Sequence, residues 1–344
     1  MPHYFHQYTT ADISPQIRSR EGETKLGEVL EVPADESIDS FLKGTTALFV
    51  VIGISEDIGV LANYGKPGTA TAWNSFVTSF LNIQANEFTN ARPIALLGHF
   101  TFEELKNDVE KKALRPERIS GYRKAVIAVD DAVSELVHLI VTHQKVPIII
   151  GGGHNNCYPI LKGTATALSA ADRSYLDGIN CVNLDAHFDY RLKEGRHSGN
   201  GFRYAKQGKF LRKYFALGIH ENYVQAVVLN DVKKEEDIAF TTYEEVFIRQ
   251  KKTWSQSLEE AAKFVGPDRV VGIELDLDSI AFVPSSAATP CGITSREALQ
   301  YIDYITNHCK IGYLHICEGI ATSDDALVGK LISYLAAHFV KTFF

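Results

Sequence analysis

Three short segments concentrate the side chains that could do chemistry. Gly151-Gly152-Gly153-His154 follows an apolar run, Asp185, His187 and Asp189 fall at alternate positions of DAHFD, and Asp276 and Asp278 do the same in DLD. In an extended chain such alternation points side chains to one face. Taken alone, His154 reads as a hydrogen-bonded loop histidine and the DLD pair as a helix cap or solvated turn. DAHFD resists that treatment, because three ionisable groups on one face would repel or desolvate one another without a counter-ion. Two imidazoles and four carboxylates carry four negative charges, which matches two divalent cations. Bridging carboxylates can hold such ions about 3.5–4 Å apart, as two-metal hydrolases do. A nitrogen and oxygen donor set without thiolate suits Mn²⁺ better than structural zinc. The chemistry expected is activation of water for hydrolysis.

Such residues must be positioned by a rigid frame, and the sequence supplies one. Short β-branched apolar runs recur at 47–54, 93–100, 146–154, 179–187, 214–219, 269–278 and 311–318. Runs apolar on both faces suggest buried parallel strands. Helical patterns lie between them; the clearest puts Val126, Val129, Val133, Leu136, Val137 and Ile140 on one face and ends near Gln144. A last helix is expected after Ser323, with Asp324 and Asp325 in its first turn and Leu327, Leu331, Leu335 and Phe339 buried. The alternation predicts one doubly wound sheet covered by helices, with functional groups at the carboxyl ends of the strands.

Composition excludes several function classes. With 45% hydrophobic and 22% charged residues in 344, the chain reads as an ordinary globular protein, and no apolar run is long enough to span a bilayer. The opening segment lacks the pattern of a signal peptide, which points to the cytoplasm. Cys157, Cys181, Cys291, Cys309 and Cys317 are odd in number and never form C-x-x-C, so neither a disulfide framework nor a zinc knuckle is expected. A formal charge of −7 without a basic stripe gives no attraction for nucleic acid. The expected partner is a small molecule, and a homo-oligomer stays open.

The segments GGGH, DAHFD and ELDLDSIAFVPSSAATPCG resemble, in order and spacing, the metal motifs of the ureohydrolase family, which includes arginase, agmatinase and formimidoylglutamase. GISEDIGVLANYGKPGTATAW near the start and LHICEG near the end extend the likeness over most of the chain from residue 47. The resemblance implies an α/β fold of three α/β/α layers with a mostly parallel eight-stranded sheet. It implies one catalytic domain over 1–344, with residues 1–46 an extension packed on it. It assigns His154, Asp185, Asp189 and Asp276 to one manganese ion and Asp185, His187, Asp276 and Asp278 to the other.

Departures from arginase narrow the resemblance. Arginase-type members read GGDHS where this chain has Gly153 before His154 and Asn155 after it. Arginase also places a proton-shuttling histidine just beyond its SGN segment, whereas this chain reads Ser198-Gly199-Asn200-Gly201-Phe202. Phe202 and Arg203 instead match the SGTPFR-like segment of formimidoylglutamases, although SGNG replaces SGTP, and Arg191 follows their DAHxDxR pattern. The implied reaction converts N-formimino-L-glutamate and water to L-glutamate and formamide, a step of histidine degradation. By resemblance Asp189 hydrogen-bonds the attacking water and passes its proton to the leaving nitrogen, and Glu318 meets the substrate amidinium. Arg191 and Arg203 are candidates for the two carboxylates, Ser198 and Asn200 for neutral donors, and Asn63 for the entrance. Surface ion pairs for the arginines and a solvated strand end for Glu318 are the bland alternatives. His197, His220 and His315 receive no role. The rival functions are an agmatinase or other guanidino-compound hydrolase releasing urea, and an inactive metal-binding member acting through assembly.

Overall fold

The structure, a computed structural model, describes residues 4–34, 36–112, 114, 117–322 and 326–344. Nine strands form one sheet: β1 (Phe5–Gln7), β2 (Phe49–Ser55), β3 (Ile94–Thr101), β4 (Val146–Ile150), β5 (Ile179–Leu184), β6 (Leu211–Ile219), β7 (Ile238–Thr242), β8 (Val270–Asp276) and β9 (Lys310–Cys317). Their spatial order is β1-β3-β2-β4-β9-β8-β5-β6-β7. Every pairing is parallel except β1 with β3. All seven apolar runs became strands. β5 and β8 are buried along their whole length, as strands covered on both faces must be.

The expected count of eight is corrected to nine by the amino-terminal strand β1, which adds antiparallel to the edge. Behind it Trp73 Nε1 donates to Tyr8 Oη at 3.0 Å, tying the first residues to the sheet. β7 lies on the opposite edge and is only partly buried, so no continuous apolar run marked it.

Two hydrophobic clusters lie on the two faces of the sheet and make the three layers. One packs the helices Arg118–Thr142 and Cys157–Ala171; the other packs Ala72–Phe80, Trp254–Val265, Ser295–His308 and Leu327–Lys341. The helix Arg118–Thr142 buries the expected stripe from Val126 to Ile140, and the chain leaves it through Gln144 at φ +59°. The last helix is corrected in its start: it begins at Leu327, which is exposed, and buries Leu335 and Phe339, with Leu331 half-buried. Ser323, Asp324 and Asp325 lie outside the described residues. No described helix is long and apolar enough to cross a membrane.

The order of strands positions the site. After β4 the chain leaves a gap, lays down β5, β6 and β7 outward, and returns to fill the gap with β8 and β9. The four central neighbours β4, β9, β8 and β5 therefore deliver loops from distant parts of the sequence to one crevice.

Candidate metal centre

Each central strand ends in a different local device. β4 runs into Gly151 at φ +92° and Gly152 at φ +75°, a backbone path that disfavours side chains, and His154 then opens a short helical turn. β5 stops at Leu184, and Asp185 Oδ1 accepts from the His187 backbone N–H at 2.7 Å. β8 ends in the same way, with Asp276 Oδ1 accepting from the Asp278 N–H at 2.7 Å. The extended alternation expected across DAHFD and DLD is thus replaced by a turn in which the first aspartate folds over the second group. Asp189 sits at φ +44° and Glu318, just past β9, at φ +63°. Both are non-glycine residues in the left-handed region, where backbone strain commonly accompanies functional placement.

The turns bring the expected metal residues together. His154 Nδ1 lies 3.2 Å from Asp185 Oδ2, 2.9 Å from Asp189 Oδ2 and 3.0 Å from Asp276 Oδ2. His187 Nδ1 lies 3.4 Å from Asp185 Oδ1 and 3.9 Å from Asp278 Oδ2. One ring nitrogen carries at most one proton, so it cannot satisfy three carboxylates at once, and neither nitrogen of His154 makes a hydrogen bond among the described residues. A multivalent cation coordinated by several oxygens and one imidazole resolves that conflict, so the donors fit such an ion.

Electrostatics point the same way. Burial pushes the Asp276 carboxyl well above the carboxylate range, and the charges of Asp278 and Asp185 add to it. Burial likewise raises Asp189 and Asp278. Burial also opposes ionisation of Asp185, but His154 and His187 outweigh it and hold that carboxyl below its ordinary range. Burial opposes a charge on His187, yet Asp185 and its neighbours lift it to about 10. Burial thus favours protons on these carboxyls, and cations held among them would take the protons' place.

A cavity of about 220 Å³ opens above these groups. Its lining includes Asn63, Asp189, Arg191, Ser198, Gln225 and Glu318. Glu318 Oε1 accepts from the His154 backbone N–H at 2.6 Å, while its buried Oε2 accepts no hydrogen bond of normal geometry among the described residues. Burial, followed by the charge of Asp278, raises this carboxyl to about 8. Asn63 Nδ2 donates to Ser198 Oγ at 3.2 Å, and Arg191, partly exposed, pairs with Glu194 at 3.3 Å.

Two expected substrate residues are not brought to the cavity. Arg203 is buried, donating from Nη2 to Asp231 at 2.9 Å and from Nε to the Tyr190 carbonyl at 2.9 Å. Asn200 accepts from Arg196 Nη1 at 2.9 Å and donates to the Gly195 carbonyl. Both therefore hold the loop that presents Arg191 and Ser198. Phe202 stacks on Tyr214 at 4.4 Å and meets the His154 ring edge-on at 5.2 Å, so apolar packing stands where a proton shuttle would be.

Several contributors received no role from the sequence. Glu56 accepts from the Gly153 N–H at 3.0 Å and from Asn156 Nδ2 at 2.7 Å, clasping the glycine loop. Asn183 Nδ2 donates to Asp185 Oδ2 at 3.1 Å. Tyr223 stacks on His187 at 5.4 Å. Asn183 was findable, since it stands two residues before Asp185 in a strand and so shares its face. Glu56 and Tyr223 depend on long-range contacts that spacing does not reveal.

A family model described as the arginase family matches residues 47–341. A formimidoylglutamase of Streptococcus pyogenes is 26% identical over 314 residues, covering 89% of this chain and 86% of that protein. Among solved structures, a formimidoylglutamase from Bacillus subtilis superposes with TM-score 0.73 at 16% identity, covering 97% of this chain and 98% of that one. A Trypanosoma cruzi formiminoglutamase with Mn²⁺ gives TM-score 0.69 at 19% identity, with 93% and 98% covered. These structural likenesses establish the arginase-like fold.

Proposed function

The chain belongs to the arginase family, and from that premise we propose that it is a dimanganese hydrolase cleaving a C–N bond of N-formimino-L-glutamate, working as one catalytic domain. The reaction adds water across the formimino carbon and releases L-glutamate and formamide. The observation that carries the reading is the convergence of Asp185, Asp189 and Asp276 within 3.2 Å of His154 Nδ1, beneath a cavity where Glu318 Oε2 accepts no hydrogen bond of normal geometry among the described residues. The formimidoylglutamase names of the relatives and the apolar Phe202 support the substrate.

His154, Asp185, Asp189 and Asp276 would hold one ion, and Asp185, His187, Asp276 and Asp278 the other. When bound, the ions supply Lewis acidity that brings the pKa of water toward neutrality. Asp189 accepts the proton of the attacking water and returns it to the departing glutamate nitrogen. Glu318 Oε2 accepts a hydrogen bond from the amidine N–H groups and turns the formimino carbon toward the nucleophile. Arg191 pairs with one carboxylate of the substrate, and Ser198 and Asn63 donate to the other. The Arg191 charge disfavours the cationic tail of agmatine. Phe202 closes the floor against water.

The test is product identity on a panel of N-formimino-L-glutamate, arginine, agmatine and guanidino acids with manganese-loaded protein. Formamide from the first substrate, with urea from the others slow or absent, is expected. Efficient urea release with N-formimino-L-glutamate untouched would replace the substrate, and tight metal binding without turnover on any of them would favour an inactive member.

A further inference from the structure

Beneath His154 lies a further buried carboxylate, Glu274, which opens the third motif but is not among the six expected metal ligands. Glu274 stands two residues before Asp276 in β8, so the pleat points both side chains to the same face. Its register partner on β9 is His315, and Gly272 is paired with Tyr313. A Cβ at Gly272 would lie 2.3 Å from the Tyr313 ring, so only glycine there lets that ring cross toward Glu274. Tyr313 Oη donates to Glu274 Oε1 at 2.7 Å, and His315 Nδ1 lies 2.6 Å from Oε2. The same Oε2 faces His154 Nε2 at 3.4 Å, opposite the nitrogen that faces Asp185, Asp189 and Asp276. Glu274, His315 and His154 are all fully buried.

We propose that Glu274 is a positioning residue for the metal centre: its carboxylate approaches His154 Nε2 to 3.4 Å without yet forming a hydrogen bond, and it would hold the imidazole proton there once an ion takes the Nδ1 lone pair. A metal-binding histidine needs its other nitrogen anchored, since the partner fixes both tautomer and ring orientation. Here the anchor is itself pinned by Tyr313 and His315, so it cannot swing into the pocket to compete as a ligand. The strand pairs Gly272–Tyr313 and Glu274–His315 form a buried buttress one pleat below the carboxylates.

This inference rests on reading the centre as a metal site, and the test separates the two. Manganese affinity and stoichiometry are measured on full-length protein, Glu274→Gln and Tyr313→Phe, with ¹⁵N-histidine spectra of each after loading with diamagnetic Zn²⁺. Glu274→Gln should weaken manganese binding by about 10–100-fold. Tyr313→Phe, which removes a support of Glu274 without touching His154, should weaken it far less. The unaltered protein should show His154 bound through Nδ1 with its proton on Nε2, a readout that needs no variant to fold. Absence of metal from the unaltered protein overturns the metal reading. Unaltered affinity in Glu274→Gln, equal losses in both variants, or His154 bound through Nε2 overturns the role of Glu274 alone.

Discussion

Two clusters of buried charge meet at the segment His154–Asn156 and resolve their burial in opposite ways. Around Arg196 the protein supplies its own counter-charge. The guanidinium makes a two-point contact with Asp130 at 2.8 and 3.0 Å, donates to the Asn155 carbonyl at 2.9 Å, and lies over the rings of Tyr158 and Tyr204. At the strand ends the protein supplies four carboxylates for which His154 and His187 are too few, so that only Asp185 is held below its ordinary range. Three converge on one imidazole, and burial drives Asp189, Asp276 and Asp278 toward the protonated form. The first cluster is finished by folding; the second, on the function proposed above, would be finished by bound cations. Buried charge is tolerated only when paired, and under the proposed function the cations that pair the second cluster would also make it a working site.

Asp276→Asn should produce the largest change. A neutral amide bridges two cations poorly, so metal content and turnover are expected to fall together, turnover to background. Elemental analysis beside a formamide assay checks it, and retention of both ions with near-normal turnover would break the comparison at its centre. Arg196→Met tests the other cluster. Leaving Asp130 buried without its partner should cost about 3–5 kcal/mol of stability. The double variant with Asp130→Leu should recover much of that. Denaturant unfolding gives both numbers, and a cost no larger in the single than in the double variant would show that the pair is dispensable.

Acidity sharpens the contrast. In the metal-free fold Glu318 is held up at about 8 by burial and then by Asp278, against an ordinary value of 4.5. A raised folded pKa contributes stability that is whole below the ordinary value and is lost as pH rises through the folded one. The metal-free protein should therefore lose thermal stability between about pH 4.5 and 8. Manganese uptake must displace protons from the centre, so its affinity should rise across the same window. Saturating metal at a hundred times its dissociation constant adds about 2.7 kcal/mol. Melting temperatures of metal-free and loaded protein across that range check both signs, and parallel curves would contradict them.

The smallest effects concern the arginines. Arg191→Lys loses the planar fork and should raise KM for N-formimino-L-glutamate on the order of tenfold, with metal content intact. Arg203→Lys disturbs the contacts to Asp231 and Tyr190 and should lower stability more than it alters KM. Steady-state kinetics with thermal melts on both variants separate binding from support. Unchanged constants in Arg191→Lys would remove that residue from the substrate pocket.

The placement of the candidate donors was legible because they follow apolar runs. The runs ending at His154, Asp185 and Asp276 announce strand ends, and charges that would otherwise repel announce a cation. The turns that replace extended alternation were hidden, because an aspartate accepting from a backbone N–H two residues on leaves no trace beyond its own identity. β1 escaped because three residues with one buried side chain make no pattern. Arg203 was misplaced for a different reason: its partner Asp231 lies 28 positions away, and a motif fixes a residue's neighbours in sequence rather than the direction of its side chain. Glu274 was passed over although it precedes Asp276 by two, since the partners that define it come from another strand.

The central claim is that four carboxylates and two imidazoles form a site for two cations, and counting the ions tests it most directly. Diffraction from manganese-loaded crystals, with anomalous scattering recorded at the metal edge, should show two peaks per chain. One should lie against His154, Asp185, Asp189 and Asp276, and the other against Asp185, His187, Asp276 and Asp278. A single peak, or none, in protein that still hydrolyses its substrate at full rate would contradict the account.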